Sequence, residues 1–219
     1  MTMNLPGEQK TDALEPMTLP DVVRVVFGGS ASFAAFAGTY LTRQNPPAFI
    51  LVGWLLGMDG VAAALDLEYM TTGTHLVDNW FHAWLRIMLA GIGAGVVRYW
   101  VVGSVFHGVV RLSGGHGSAR TSRCIFLYAA LPLVTIELSV KVLQMLVYGN
   151  EYFAGLTNPA LDGVVGGFMM GAFAYSVFLC YVGMRRVLGA DRARSLLVMG
   201  GVGVAMVLFA AAVFLKGGA

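Results

Sequence analysis

Five stretches of the chain are apolar for longer than a soluble core element needs: about Pro47–Leu65, Ile87–Val110, Cys124–Tyr148, Val164–Val187 and Ser195–Leu215. None alternates polar with apolar, and each far exceeds the ~10 residues of a barrel strand. A helix crosses the hydrocarbon core in roughly 20 apolar residues, so the pattern predicts five transmembrane helices. A further stretch, Asp21 to Arg43, is less hydrophobic and is interrupted by Arg24 and by Gly28-Gly29-Ser30. It predicts an amphipathic helix lying on the cytoplasmic face, with six spans and an outside N-terminus as the alternative. The expected fold class is all-α. It is a polytopic bundle of five transmembrane helices (residues 47–219), preceded by a cytoplasmic tail (residues 1–46) that carries the interfacial helix. The opening MTMNLPGEQKTDALEPM has neither the charged start nor the apolar core of a signal peptide and reads as a short disordered tail.

Composition supports a lipid solvent. Of 219 residues, 57% are hydrophobic and 12% charged, with a mean hydropathy of +0.72. Soluble domains carry roughly 25% charged residues, so half of an ordinary polar surface is missing. The 29 glycines suit close helix packing in lipid. Orientation follows from where the cations lie. Lys10, Arg24 and Arg43 precede the first span, Arg111, Arg120 and Arg123 follow the second, and Arg185, Arg186, Arg192 and Arg194 follow the fourth. On the other side stand Arg86 and Lys216, while the loops Asp66–Asn79 and Gly149–Gly163 carry no Lys or Arg. The positive-inside rule puts the N-terminus in the cytoplasm and the C-terminus outside, in a cell's cytoplasmic (inner) membrane. Cys124 and Cys180 then lie toward the reducing side as free thiols.

Four charged residues fall deep inside the expected spans, away from their ends: Asp59, Arg98, Glu137 and Lys141. A charge at the bilayer centre costs ~2.5–3.5 kcal/mol on insertion scales and faces the protein interior with a partner. At 1.5 Å per residue, the first three lie roughly 18–20 Å from the inner boundary, with Lys141 one turn beyond Glu137. Two carboxylates and two cations sum to zero, which predicts one buried polar cluster joining the first three helices. Arg98 would stand at its centre, because a guanidinium can hold two carboxylates at once. The cluster is either structural glue or the lining of a pathway for a lipid headgroup, ion or proton. Pro132 predicts a kink in the third span below Glu137.

Other motifs carry less. His75, Asp78 and His82 share one helical face at metal-ligand spacing, but no second cluster completes a shell, and a solvated turn is the expectation. Neither a metal nor any other cofactor is expected. Gly163, Gly167 and Gly171 form a stripe at four-residue spacing, as do Gly91 and Gly95, which predicts that the fourth and second spans pack together or that the stripe forms a dimer contact. The basic, glycine-rich turn Arg111–Arg120 lacks the GxxxxGK[ST] order. It is expected to touch anionic headgroups through Arg111, Arg120 and Arg123, with Arg185 and Arg186 on the same side. There is no HExxH and no GxSxG, and Ser104 with His107 makes a weak pair, so no enzyme is expected. The expected partners are membrane lipids, proteins within the membrane and a second copy of the chain. Nucleic acid is not among them.

The segment Val105–Pro132 (VFHGVVRLSGGHGSARTSRCIFLYAALP) resembles the central signature of the Ypt-interacting protein (Yip) family. Its positions are His107, Leu112, Gly114, Gly115, Gly117, Ser118, Tyr128, Ala129 and Pro132, with Ser113 inserted between Leu112 and the glycine pair. The interfacial helix, the Asn45-Pro46-Pro47 linker and five spans with a cytoplasmic N-terminus are similar to the family architecture. The likeness is to the short prokaryotic-type members. It implies a non-enzymatic membrane protein that organises membrane or envelope components. The long N-terminal domain of the eukaryotic members has no counterpart in the likeness, so Rab-GTPase binding is not carried over. The intramembrane charges allow a rival reading as a transporter, channel or lipid scramblase.

Overall fold

The computed structural model describes residues 17–42, 46–72, 80–148, 159–201 and 204, all in helices, turns or short connections, with no strand among them. The chain begins with α1 (Leu19–Phe27) and α2 (Ser30–Phe36). Asp21 accepts both the backbone N–H (3.0 Å) and the hydroxyl of Thr18, which starts α1 in a capping box. Gly29, at φ +97°, turns the chain, a backbone conformation that glycine adopts without strain. The single interfacial helix expected over 21–43 is therefore two helices, and the second widens into a π-turn over Ala37–Leu41. Val22, Val26, Phe33, Phe36, Ala37 and Leu41 bury one side of this unit against the bundle.

Next come α3 (Phe49–Thr72) and α4 (Trp80–Val97), the most closely packed pair among the described helices. Glycines decide their approach. A Cβ on Gly57 would collide with the Gly91 carbonyl oxygen, and one on Gly95 with that of Gly53. Two four-residue glycine repeats thus face each other, so the backbones themselves are in contact. The expected partner of Gly91 and Gly95 is the fourth span. The structure gives them α3 instead, and Gly163, Gly167 and Gly171 have open space where a Cβ would stand.

From α4 the helix runs on through a π-turn (Arg98–Val102) into α5 (Gly103–Leu112). After a tight loop come α6 (Ala119–Ala129) and α7 (Leu131–Tyr148). They are separated at Ala130, two residues before Pro132, where the expected kink falls. The Leu133 N–H donates to Ser176 Oγ of the following helix (3.3 Å). That helix, α8 (Pro159–Arg186), leads through a short loop to α9 (residues 192–201). Tyr128 sits at the centre of the core, fully buried, its ring 5.5 Å from that of Phe36 and its hydroxyl donating to the Pro47 carbonyl. Tyr175 of α8 donates to the Val26 carbonyl (3.0 Å) and ties α1 down. Cys124 and Cys180 are buried free thiols.

The apolar pattern predicts five spans. Among the described residues three helices are long and apolar enough to cross a membrane: Phe81–Leu112, Ala119–Tyr148 and Gly163–Arg186. The apolar part of α3, Phe49–Leu65, is shorter than the roughly 20 residues a crossing takes. Most of the fifth expected span, 195–215, lies outside the described residues.

Candidate functional site

Arg98 opens the π-turn, a local widening that often marks functional positions in helices. Its Nη1 donates to Asp59 Oδ2 and also to the Leu56 carbonyl (2.8 Å). Gly60, next to Asp59, makes room: a Cβ there would stand 3.0 Å from Arg98 Nε and 3.1 Å from Cζ. The pair is asymmetric. The Asp59 side chain is 4% exposed and that of Arg98 32%, and the second carboxylate oxygen, Oδ1, is buried without a protein partner. Of the four expected cluster members, Asp59 and Arg98 form an ion pair. Glu137 and Lys141 lie on α7, which packs on α3, Lys141 buried and Glu137 half-buried.

Two residues beyond Arg98, Trp100 carries another cation on its face. Arg123 of α6 stands 4.2 Å from the ring centroid, and its Nη2 and Nε donate to Ser104 Oγ at 2.9 and 3.2 Å. Gly103 leaves the gap for the arginine stem, which approaches to 2.8 Å of where a Cβ would be. The sequence predicts a headgroup contact for Arg123. In the structure its guanidinium lies on an aromatic face and donates to a hydroxyl, contacts that fix α5 against α6.

The turn between α5 and α6 is built on glycine and closed by a second loop. Gly114 has φ +76°. A Cβ on Gly115 would meet Val110 Cγ1 at 2.6 Å, and one on Gly117 would meet Leu188 Cδ2 at 2.6 Å. The His116 N–H donates to the Leu188 carbonyl (2.7 Å) and the Asp191 N–H to the Ser113 carbonyl (2.9 Å), so the α5–α6 and α8–α9 loops clasp each other through the main chain. Both loops then start helices. Ser118 caps α6, accepting from the Thr121 N–H at 3.0 Å. Asp191 caps α9, accepting from the Arg194 N–H at 3.0 Å. That bond, with the Arg194 charge, holds the Asp191 carboxyl below the usual carboxylate value. His107 Nδ1 lies 3.0 Å from Ser122 Oγ, again across α5 and α6.

Residues 11–214 match the Yip1 domain model. The chain belongs to the Yip1 family. No curated protein and no solved structure matches it. Membership makes this Yip1 protein a membrane protein, in keeping with its apolar helices. It also gives the glycine-rich signature a physical content. Gly114 supplies the positive φ, Gly115 and Gly117 admit Val110 and Leu188, Ser118 caps the next helix, and Pro132 follows the break after Ala129.

The remaining sequence-derived candidates separate clearly. Arg111 and Arg186 are exposed and Arg120 is half-buried, whereas Arg185 turns a buried Nε inward with no protein partner. His75 and Asp78 lie outside the described residues. His82 is exposed beside Phe81, and no group of three potential metal ligands occurs among the described residues. Sequence reasoning missed the Leu188–Asp191 half of the clasp. Its signal was present: Gly189 past the end of a helix, then Asp191 at the start of the next.

Proposed function

We propose that this Yip1 protein is a non-enzymatic scaffold or adaptor of the cytoplasmic membrane. It would organise membrane or envelope components through contacts within the bilayer, with its N-terminus and the clasped loops on the cytoplasmic side. The observation that carries the reading is a face of α8 that no described residue covers. Within a helix apolar enough to cross the membrane, Gly163, Gly166, Gly167 and Gly171 have nothing within 4 Å of a Cβ position, and Val164, Phe168 and Met170 are exposed beside them. In lipid such a surface gains by receiving another helix at backbone distance. Photo-crosslinkers at positions 164 and 168 in intact cells test it. The expected result is discrete protein adducts that disappear with Gly167→Ile, while lipid adducts alone would refute the scaffold.

A second reading, transport or lipid scrambling through Asp59 and Arg98 with Glu137 and Lys141, is favoured by the unpartnered Asp59 Oδ1 beside a part-exposed arginine. In proteoliposomes, Asp59→Asn would then abolish a proton or lipid flux that the wild type supports. A flux unchanged by the substitution removes this reading.

A further inference from the structure

A groove of about 1280 Å³ opens between the start of α1, the start of α3 and the side of α4. It exceeds the roughly 300–1,000 Å³ of ordinary small-molecule sites. Its floor is apolar: Ile50 and Trp54 come from α3, and Ile92, Val96 and Trp100 from α4 and its π-turn. The last three are spaced by four residues, which puts them on one side of the helix, and each is more than half exposed. This strip runs about 12 Å along a helix at 1.5 Å per residue, within a membrane-crossing segment. One basic residue, Arg120 in the first turn of α6, lines the same groove together with the aromatic pair Tyr99 and Trp100. Arg120 belongs to the basic turn between α5 and α6, and a basic pocket between helices takes an anionic headgroup. The neighbouring Arg123 is held on Trp100 and braces the aromatic wall.

We propose that this groove is a site for one anionic phospholipid, with its phosphate at Arg120 and an acyl chain laid along Trp100, Val96 and Ile92. Charge complementarity selects the occupant. A membrane-embedded apolar strip with a cation at its aromatic end matches an amphiphile of opposite charge. The inference depends on the membrane setting of the chain and is independent of the contacts made by α8.

Trp54 and Trp100 make the site observable. The full-length protein, with Trp80 and Trp84 replaced by Phe, is reconstituted in phosphatidylcholine nanodiscs containing increasing fractions of brominated phosphatidylglycerol. Tryptophan quenching is expected to saturate at a low fraction of the anionic lipid, and brominated phosphatidylcholine at the same fractions is expected to quench far less. Arg120→Gln should raise the half-saturating fraction about fivefold, which corresponds to roughly 1 kcal/mol for one basic residue at a membrane surface. Arg192→Gln, on an exposed residue outside the groove, should leave it unchanged. Equal quenching by both lipids, or quenching linear in mole fraction, would mean only bulk lipid contact and would overturn the site. Negligible quenching by either would mean that protein fills the groove, which overturns the site equally. Should Arg120→Gln fail to fold, the wild-type comparison of the two brominated lipids decides alone. Crosslinking from α8 reads a different surface, so loss of the scaffold reading would leave this result standing.

Discussion

Removing Arg98 gives the sharpest test of what an arginine does inside this bundle. In Arg98→Met the aliphatic volume is largely kept, but Asp59 Oδ2 loses its partner while Oδ1 has none to begin with. A carboxylate 4% exposed is then wholly unpaired, and the Leu56 carbonyl loses its side-chain donor. Breaking a buried pair by removing one partner costs about 3–5 kcal/mol. The lower end applies, because Arg98 itself is one-third exposed and its own desolvation was incomplete. Asp59→Asn leaves the guanidinium with the Leu56 carbonyl and partial solvent, so its loss is set by one charge-assisted hydrogen bond, about 1.5 kcal/mol. The double replacement removes both charges, and since apolar substitutes for a buried pair are often nearly neutral, it should cost about 1 kcal/mol. The predicted coupling is therefore roughly 3.5 kcal/mol, far above the few tenths expected of independent sites. Thermal unfolding in detergent reads it out, at about 2–4 °C per kcal/mol for a chain of this size. Arg98→Met should melt about 6–12 °C low by that conversion, and the double variant should recover most of the difference. A single Arg98→Met variant as stable as wild type, or strictly additive losses, would refute the ion-pair account.

Gly57→Leu should separate α3 from α4 and lower stability by at least the 1–3 kcal/mol of an overpacked core, because the new side chain meets the Gly91 backbone and not a flexible tip. Unfolding measurements on Gly57→Leu beside Gly53→Ala, where space is open, provide the comparison. Gly117→Val should loosen the loop clasp by colliding with Leu188, and Leu188→Ala should rescue it. Amide exchange at His116 and Asp191 is the readout, and failure of the rescue would sink the contact. The Asp191 carboxyl is depressed in the folded state, so its contribution is complete above the ordinary value of 3.8 and is lost as pH falls through the lower folded value. Exchange at Arg194 N–H should therefore speed up below about pH 4 in wild type and be pH-insensitive there in Asp191→Ala, after correction for intrinsic rates. For topology, an introduced cysteine at position 158 should label from outside intact cells and one at 118 should not, and the reverse pattern would invert the orientation.

Much of the architecture was legible because its determinants are local. Long apolar runs demand helices in lipid, and Pro132 marks the helix break that falls just before it. The glycine-rich signature likewise named its family before any contact was known. What the chain could not disclose by itself was pairing. Gly53/Gly57 and Gly163/Gly167/Gly171 are equivalent as repeats, and only the packed structure shows that the first pair takes Gly91 and Gly95 while no described residue meets the second. The same holds for the arginines. Arg98, Arg120 and Arg123 are alike as cations, yet one is bound to a buried carboxylate, one lines a groove and one lies on an indole. The hydrophobic period of a helix is set by its own residues, but the partner of a charge is chosen by residues dozens of positions away, through the π-turn and the glycine crossing that bring Asp59 and Arg98 together.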